Sequence, residues 1–391
     1  MILSPSFVLC ALYVFANFYA LILGSADGGM QLEGGFYQLK SSSLIIAYVL
    51  QVLIIFLLWL GFRAFEKKEL VKFYLGSRVG LGLLGIQISY IIFNKYYGVN
   101  IAGTDSLIEG GSFLNYLFIF LQPDLMFLVV GVFLVSTRLF LVNVFVFLIS
   151  MMLRGWMGGI FLVVIVILCR CYPLKLRRQT IALYILSAVL LLLSLPFIIQ
   201  AKWVARTDEP LYTVFQSVFD FGYLNYLGVS LDYILNRFQH VGHIALLFEN
   251  SVALKSAYES EKFIPYWFDG LPQYIMMKIL GINPYKLNSY IVEHFFGVNN
   301  PTWNINPGLA GWIVILKEKT IFFSLYIASI VAIPFYVVSR YGGVRILLLV
   351  YCFSVVYLFH GWIGAYFNMA LYAMLIVVLS KFKFRLTSSG R

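Results

Sequence analysis

The chain has 391 residues, of which 61% are hydrophobic and only 12% are charged. A soluble domain usually carries about 25% charged residues, so this composition excludes an ordinary soluble protein and predicts a polytopic membrane protein. The net charge of +11 does not indicate nucleic acid, because Lys and Arg cluster in short loops between apolar runs, where positive charge fixes membrane topology. We therefore expect the lipid bilayer as a partner and no nucleic acid.

Ten apolar stretches are predicted to be transmembrane helices, since a hydrocarbon core of about 30 Å needs about 20 apolar residues. They fall near 5–24, 42–62, 76–94, 114–136, 139–153, 156–170, 180–200, 320–339, 344–362 and 363–380. This pattern predicts three parts. Residues 1–200 hold helices 1–7, residues 201–319 form a large loop with interfacial or re-entrant helices, and residues 320–391 hold helices 8–10 and a tail.

Basic residues mark the loops after the second, sixth and eighth predicted spans and the tail after the tenth. Positive charge stays on the cytosolic side, so both termini are predicted to be cytosolic. The long loop then lies on the opposite side, which is periplasmic if the protein belongs to a bacterial inner membrane. No acceptor for N-glycosylation occurs in the sequence, and this fits a bacterial origin.

The long loop interrupts the apolar spans with titratable residues and holds three of the four histidines, namely His240, His243 and His294. Its apolar residues recur three and four apart between 212 and 250, which predicts helix there. Further helices are predicted over 272–280 and 287–296, and the segment 307–319 is expected to dip into a cavity. Chemistry on one face of the membrane would be placed in such a loop.

Arg237, His240 and His243 form the densest polar cluster of the loop. On a helix, residues three apart share one face, so we expect these side chains to approach a common substrate. They would offer a permanent cation and tunable proton carriers. Ordinary buried or interfacial histidines remain the alternative. A metal is a weaker one, because no third ligand stands at a recognisable spacing.

Several other charged residues lie near membrane boundaries. Arg154 follows a predicted span, and it either reaches lipid phosphates or binds a phosphate or pyrophosphate through its planar fork. Asp124 lies in an apolar run, where it either pairs with an inward-facing Arg or sits at a kink. The weaker candidates, for which solvated charge is the alternative, are Lys202, Arg206, Glu293 and His294.

These features together resemble the Wzy-type O-antigen or oligosaccharide-repeat-unit polymerases, which are relatives of the O-antigen ligases. Leu153-Arg154-Gly155 stands where that family has a Ser-Arg-Gly-like turn, without the serine. The loop Arg and His that such enzymes use resemble Arg237 with His240 or His243. The segment 304–312, rich in Gly, looks like their re-entrant exit segment, although the expected Glu is absent.

The resemblance implies an all-α, GT-C-like membrane fold and a polymerase that joins oligosaccharide repeat units carried on undecaprenyl pyrophosphate. Arg237, Arg154, Lys202 and Arg206 would bind pyrophosphate, and His240 or His243 would act as the base. It implies no cofactor and no metal, with a chain-length regulator and a flippase of the same pathway as further partners. The alternatives are an O-antigen ligase, another lipid-linked glycosyltransferase or, from a different class, a polysaccharide flippase.

Overall fold

The computed structural model describes residues 2–66, 69, 73–101, 113–156, 158–175, 178–207, 210, 212–282, 285–297 and 305–387. This part of the chain is almost entirely helical. Its α-helices are α1 (Pro5–Asp27), α2 (Ser41–Phe65), α3 (Ser77–Tyr97), α4 (Phe113–Leu121), α5 (Pro123–Val130), α6 (Thr137–Leu153), α7 (Gly158–Cys171), α8 (Arg178–Thr207), α9 (Thr213–Asp220), α10 (Tyr223–Phe238), α11 (Val241–Glu249), α12 (Ser251–Glu259), α13 (Leu271–Leu280), α14 (Leu287–Phe296), α15 (Gly308–Leu316), α16 (Thr320–Tyr341), α17 (Val344–Phe359) and α18 (Ile363–Thr387). The short strands are β1 (Ile2–Leu3), β2 (Gly29–Leu32), β3 (Gly35–Gln38) and β4 (Leu174–Lys175), paired antiparallel as β1 with β4 and β2 with β3.

Within the described ranges, six helical segments are long and apolar enough to cross a membrane. They are Pro5–Asp27, Ser41–Phe65, Phe113–Val130, Ile181–Val204, Gly308–Tyr341 and Ile363–Lys381. Three shorter helices, α6, α7 and α17, are also apolar. The leucines along α8 are largely exposed, as lipid contact requires. The chain is therefore an all-α, multi-pass membrane protein.

The predicted spans match the structure unevenly: α6, α7 and α17 are too short for the group of six, and two further predicted spans differ in other ways. The predicted span 114–136 is broken, because Gln122 takes a left-handed backbone conformation (φ 39°) and Pro123 begins a new helix, α5. The predicted span 76–94 is the helix α3, but polar residues such as Gln87 and Asn94 keep it out of the group of six. The number of ten crossings and the orientation remain predictions.

The predicted loop is mostly helical, as its periodicity indicates. The stretch 212–250 forms α9, α10 and α11, and the two later predictions correspond to α13 and α14. The segment after Pro307 forms α15, nearly all of whose residues are buried, followed by a short 3-10 turn over Lys317–Lys319. The membrane side of this loop and the three-part division at 201 and 320 stay predictions.

The described chain divides into two compact units. The first unit comprises Met1–Pro5 and Phe73–Leu235, and the second unit comprises Ser6–Lys72 and Asn236–Arg391. In the first unit α3 packs against α6 and α5, and α8 packs against α9. A buried hydrogen bond from Gln87 Nε2 to Asn143 Oδ1 (2.7 Å) joins α3 to α6.

The second unit is built around α17. Every residue of α17 except the half-buried Arg345 is buried, and its sequence is apolar on all sides, as a helix without a solvent or lipid face requires. The helices α2, α15, α16 and α18 pack around it, and α11 packs against α2 and α15. This arrangement brings the C-terminal ends of α10 and α17 to the middle of α1.

Candidate functional site

The polar cluster around His240 lies at a break between two helices. α10 ends at Phe238, and α11 begins at Val241 with His240 as its N-cap residue. The spacing predicts that Arg237, His240 and His243 share one helical face, and this prediction is wrong because the helix stops at Phe238, between Arg237 and the two histidines. Arg237 is exposed in the last turn of α10, whereas both histidines follow the break.

Asn17 of α1 holds the chain at this break. Its Nδ2 donates to the carbonyl of Phe238 (2.9 Å) and to the carbonyl of Tyr13 in its own helix (2.7 Å). Its Oδ1 accepts the backbone N–H of His240 at 3.0 Å. The side chain is only 1% exposed, and its amide thereby satisfies backbone groups that the helix ends leave without a partner. Asn17 therefore fixes the position from which the His240 ring projects.

A chain of hydrogen bonds runs inward from His240. Its Nε2 lies 2.7 Å from Nδ1 of His360, and Nε2 of His360 lies 3.0 Å from the hydroxyl oxygen of Tyr13. Tyr13 is fully buried and His360 is 7% exposed. The other ring nitrogen of His240, Nδ1, is buried and has no hydrogen-bond partner among the described residues. Three titratable groups thus form a continuous path that ends at a ring nitrogen with unused capacity.

The position of His360 is set by the way in which α17 ends. The backbone N–H of Gly361 donates to Leu358 O (3.0 Å) and that of Trp362 to Tyr357 O (2.8 Å), the pair of bonds that defines a Schellman motif. This motif needs a positive φ, here +77°, at Gly361. A Cβ at this residue would also lie 2.7 Å from a backbone nitrogen of the first residue of α15, so glycine is required twice over.

His243 faces the hairpin formed by β2 and β3. Its Nε2 lies 3.5 Å from Oε1 of Glu33, which occupies the hairpin turn with a φ of 48°. A Cβ at Gly242 would lie 2.8 Å from the Leu32 side chain, so the glycine allows α11 to approach the hairpin closely. The rings of His240 and His243 are 5.5 Å apart, and the predicted proximity of these two histidines is therefore present despite the helix break.

The surroundings of His240 disfavour its charged form. Burial lowers the pKa of His240 well below the usual 6.5, and the positive charges that His360, His243 and Arg237 can carry lower it further. His240 is therefore neutral at physiological pH, with one ring nitrogen protonated and the other able to accept a proton. An anion placed beside Arg237 would offset part of this positive field.

The sequence did not indicate three members of this site, namely Tyr13, Asn17 and His360. They lie more than 100 residues from His240 along the chain and look like parts of apolar spans. Two signals were available. Asn17 interrupts the first span, where a polar residue needs a partner, and His360 is a histidine placed directly after an apolar run.

Arg154 lies in the first unit, where it is 5% exposed and paired. Its Nη2 donates to Oδ2 of Asp124 (2.8 Å), and its Nε donates to the carbonyl of Ser150 (3.1 Å). The guanidinium also lies 5.0 Å from the centre of the Tyr90 ring. Asp124 pairs with an inward-facing arginine, and it also lies in the first turn after the helix break at Gln122, so both alternatives are present. The partners of Arg154 are side-chain and backbone groups of the protein itself.

Lys202 also lies in the first unit and is 4% exposed. Its Nζ donates to the hydroxyl of Tyr233 (2.5 Å) and lies 4.4 Å from the ring centre of Trp203, so two aromatic residues surround the ammonium group. Arg206 belongs to α8, but its side chain lies outside the described residues.

Glu293 and His294 are exposed residues of α14. Glu293 accepts a hydrogen bond from the hydroxyl of Tyr285, and the His294 ring stacks on Tyr290 at 5.3 Å. These contacts are local to one helix and the turn before it. Among the described side chains, these contacts give neither residue a charged partner.

Among the described residues, no group of three or more His, Cys, Asp or Glu is arranged to hold a metal ion. No protein-family model matches this chain, and no curated protein and no solved structure is significantly similar to it. Functional inference therefore depends on the residues themselves.

Proposed function

We propose that this protein is a membrane glycosyltransferase that joins oligosaccharide repeat units carried on a polyprenyl pyrophosphate, as an O-antigen polymerase does. The observation that carries the proposal is the buried chain from Tyr13 through His360 to His240, which leaves Nδ1 of His240 without a described partner. Such a chain suits proton transfer from a substrate hydroxyl group that reaches this buried nitrogen.

Two tautomeric arrangements of the chain are consistent with its distances. In one of them His240 donates from Nε2 to His360, and His360 donates from Nε2 to Tyr13. Nδ1 of His240 then carries a lone pair and can act as a base. Tyr13 and His360 are positioning residues in this scheme, because they hold the ring in the reactive tautomer without touching substrate.

The reaction then proceeds in one displacement. Nδ1 of His240 takes the proton of an acceptor sugar hydroxyl, and the hydroxyl oxygen forms a bond to the anomeric carbon of the donor glycan. The bond between that carbon and the pyrophosphate oxygen breaks, and polyprenyl pyrophosphate leaves with the bonding electrons. The products are a lengthened glycan on the acceptor lipid, a free lipid pyrophosphate and a protonated His240.

Arg237 is the cation assigned to the leaving group. It lies exposed in the last turn of α10, three residues before His240, and it contributes to the low pKa of that histidine. A pyrophosphate bound to Arg237 would raise the pKa of His240, because it cancels a nearby positive charge. Substrate binding would therefore strengthen the base at the moment when it is needed. Arg154 and Lys202 have partners inside the protein, and the proposal gives them structural roles.

The test is lipopolysaccharide banding in a host strain that lacks the gene, complemented with wild type, His240→Gln or the matched control His294→Gln. A polymerase predicts that the deletion leaves lipid A core carrying one repeat unit and that wild type and His294→Gln restore the ladder. His240→Gln, at equal abundance in the membrane, should not restore it.

Two outcomes would point elsewhere. Bare core together with accumulated lipid-linked polymer would identify a ligase, which shares this chemistry but uses lipid A core as acceptor. Single lipid-linked units retained on the cytosolic leaflet would identify a flippase, and the base assigned to His240 would then be wrong.

A further inference from the structure

A cavity of about 270 Å³ lies within the second unit, beside the turn that carries His360. Its wall includes the aromatic residues Tyr266, Trp312 and Trp362 and the charged residues Asp269 and Lys286. Residues at the starts of α14, α15 and α18 also line its wall. None of the residues expected from the sequence to bind substrate lines this cavity.

The aromatic wall combines a buried floor with one accessible ring. Tyr266 and Trp312 are each 5% exposed and meet edge to face, with ring centres 5.6 Å apart. Trp362 is 39% exposed and stacks on His360 at 5.1 Å with an angle of 27° between the rings. The hydrogen-bonded histidine thus fixes the plane of an accessible indole, and flat apolar faces of this kind pack against the C–H faces of sugar rings.

The polar wall carries one positive and one negative side chain, whose charges cancel. Nζ of Lys286 donates to Oδ1 of Asp269 at 2.7 Å, and the backbone N–H of Gly364 donates to Oδ2 of the same carboxylate at 2.7 Å. Because the lysine and the aspartate neutralise each other, the cavity does not favour an anion. It offers donors and acceptors close together, which a ligand with several hydroxyl groups can satisfy.

The size of the cavity suits a small ligand. Its volume corresponds to about nine waters and lies just below the roughly 300 Å³ at which pockets for drug-sized ligands begin. A single sugar ring is a ligand of this class. The cavity shares residues 361 and 362 with the turn that positions His360, and through His360 it connects to His240.

We propose that this cavity binds one neutral monosaccharide ring of the acceptor repeat unit, stacked on Trp362 and hydrogen-bonded to the Asp269–Lys286 pair. The assignment of this sugar to the acceptor rests on the proposed function, but the binding of a sugar ring can be measured independently of that function. Docking beside the turn at His360 would orient the acceptor with respect to the histidine chain.

The experiment is saturation-transfer difference NMR on the full-length protein in detergent, with free glucose, galactose and N-acetylglucosamine as probes and protein-free micelles as the blank. Ala365→Phe inserts a ring into the cavity wall without removing a polar contact. Leu375→Phe is the matched control, because it adds the same ring to an exposed position of α18. Trp362→Phe is a second variant that keeps an aromatic ring at the turn.

At least one sugar is expected to bind wild type and Leu375→Phe in the millimolar range. Binding should weaken at least about tenfold in Ala365→Phe and measurably in Trp362→Phe. The proposal is overturned if no sugar binds wild type, if Ala365→Phe binds as wild type does, or if inorganic pyrophosphate displaces the sugar. If the protein binds a sugar but its deletion leaves the glycan ladder intact, the polymerase proposal fails and the sugar site stands. If deletion abolishes the ladder but no sugar binds, the sugar site fails and the polymerase proposal stands.

Discussion

Replacement of Asp124 by leucine removes the carboxylate that faces the Arg154 guanidinium in the first unit. Arg154 then keeps the carbonyl of Ser150, the hydroxyl and ring face of Tyr90 and the sulfur of Met151, none of which carries a negative charge. A guanidinium cannot lose its proton in a protein, so the positive charge remains buried. The reverse change, Arg154→Met, leaves a carboxyl group that can take up a proton and become neutral.

The expected magnitudes follow from this asymmetry. Breaking a buried ion pair from one side destabilises a protein by about 3–5 kcal/mol. The Asp124 side chain is 24% exposed, so we take the lower end, about 3 kcal/mol, for Asp124→Leu. Arg154→Met should cost about 1–2 kcal/mol, because it loses hydrogen bonds and the contact with Tyr90 but leaves no fixed charge. The double variant should lie within about 1 kcal/mol of wild type, since an apolar pair replaces an ionic one.

Thermal unfolding of the purified proteins in detergent measures the order of stability among these variants. A unit of this size changes its melting temperature by roughly 2–4 °C per kcal/mol, so Asp124→Leu should lower it by roughly 6–12 °C and the double variant by little. Equal melting temperatures for Asp124→Leu and wild type would refute the reasoning. The glycan ladder of a strain that carries the double variant tests whether Arg154 has a role in the reaction. Loss of the ladder in a double variant of normal stability would show that Arg154 contacts substrate, as the sequence suggested.

Three further predictions concern the second unit. His240→Gln should lower the glycosyl-transfer rate by about 10²–10⁴-fold, the contribution of a general base, whereas His294→Gln should leave it unchanged in the same membrane assay. Because the folded-state pKa of His240 lies below 6.5, the stability that its neutral form provides is present above pH 6.5 and is lost as the pH falls. The melting temperature of wild type should therefore drop more steeply between pH 7 and 5 than that of His240→Gln, and parallel curves would contradict this. Asn17→Ala should destabilise the protein by about 1–3 kcal/mol and reduce transfer, since buried backbone groups at the helix break lose their partner; an unchanged melting temperature would speak against the clamp.

Local sequence patterns predicted the helices of this protein well and their interruptions less well. The helix over 287–296 is found at those residues, because a Gly follows it and apolar residues recur at helical spacing. A kink at Asp124 was one of two alternatives, but the sequence did not predict that the helix breaks at Gln122, although Pro123 marks the position. An apolar run long enough to span a membrane hides such a break, since hydropathy does not register the backbone conformation of one residue.

The site was predicted only where its residues are neighbours in sequence. The proximity of His240 and His243 follows from a spacing of three, and it holds even though α11 begins between them rather than before them. The contacts of His240 with His360 and Asn17 connect residues more than 100 positions apart, and no local pattern encodes them. Folding alone brings them together, through the burial of α17 and the packing around it.

The enclosed position of α17 also bears on the order in which the second unit can be made. Its neighbours include α2, from the beginning of the chain, and α18, which is synthesised about 300 residues later. Between these events the ribosome produces residues 73–235, which are nearly all of the first unit. During that interval Asn17 on α1 lacks Phe238 and His240, whose backbone groups its side chain binds in the finished protein. The nascent chain therefore passes through a stage in which polar groups in the membrane lack their final partners, and it is at this stage that an insertase or membrane chaperone would be required.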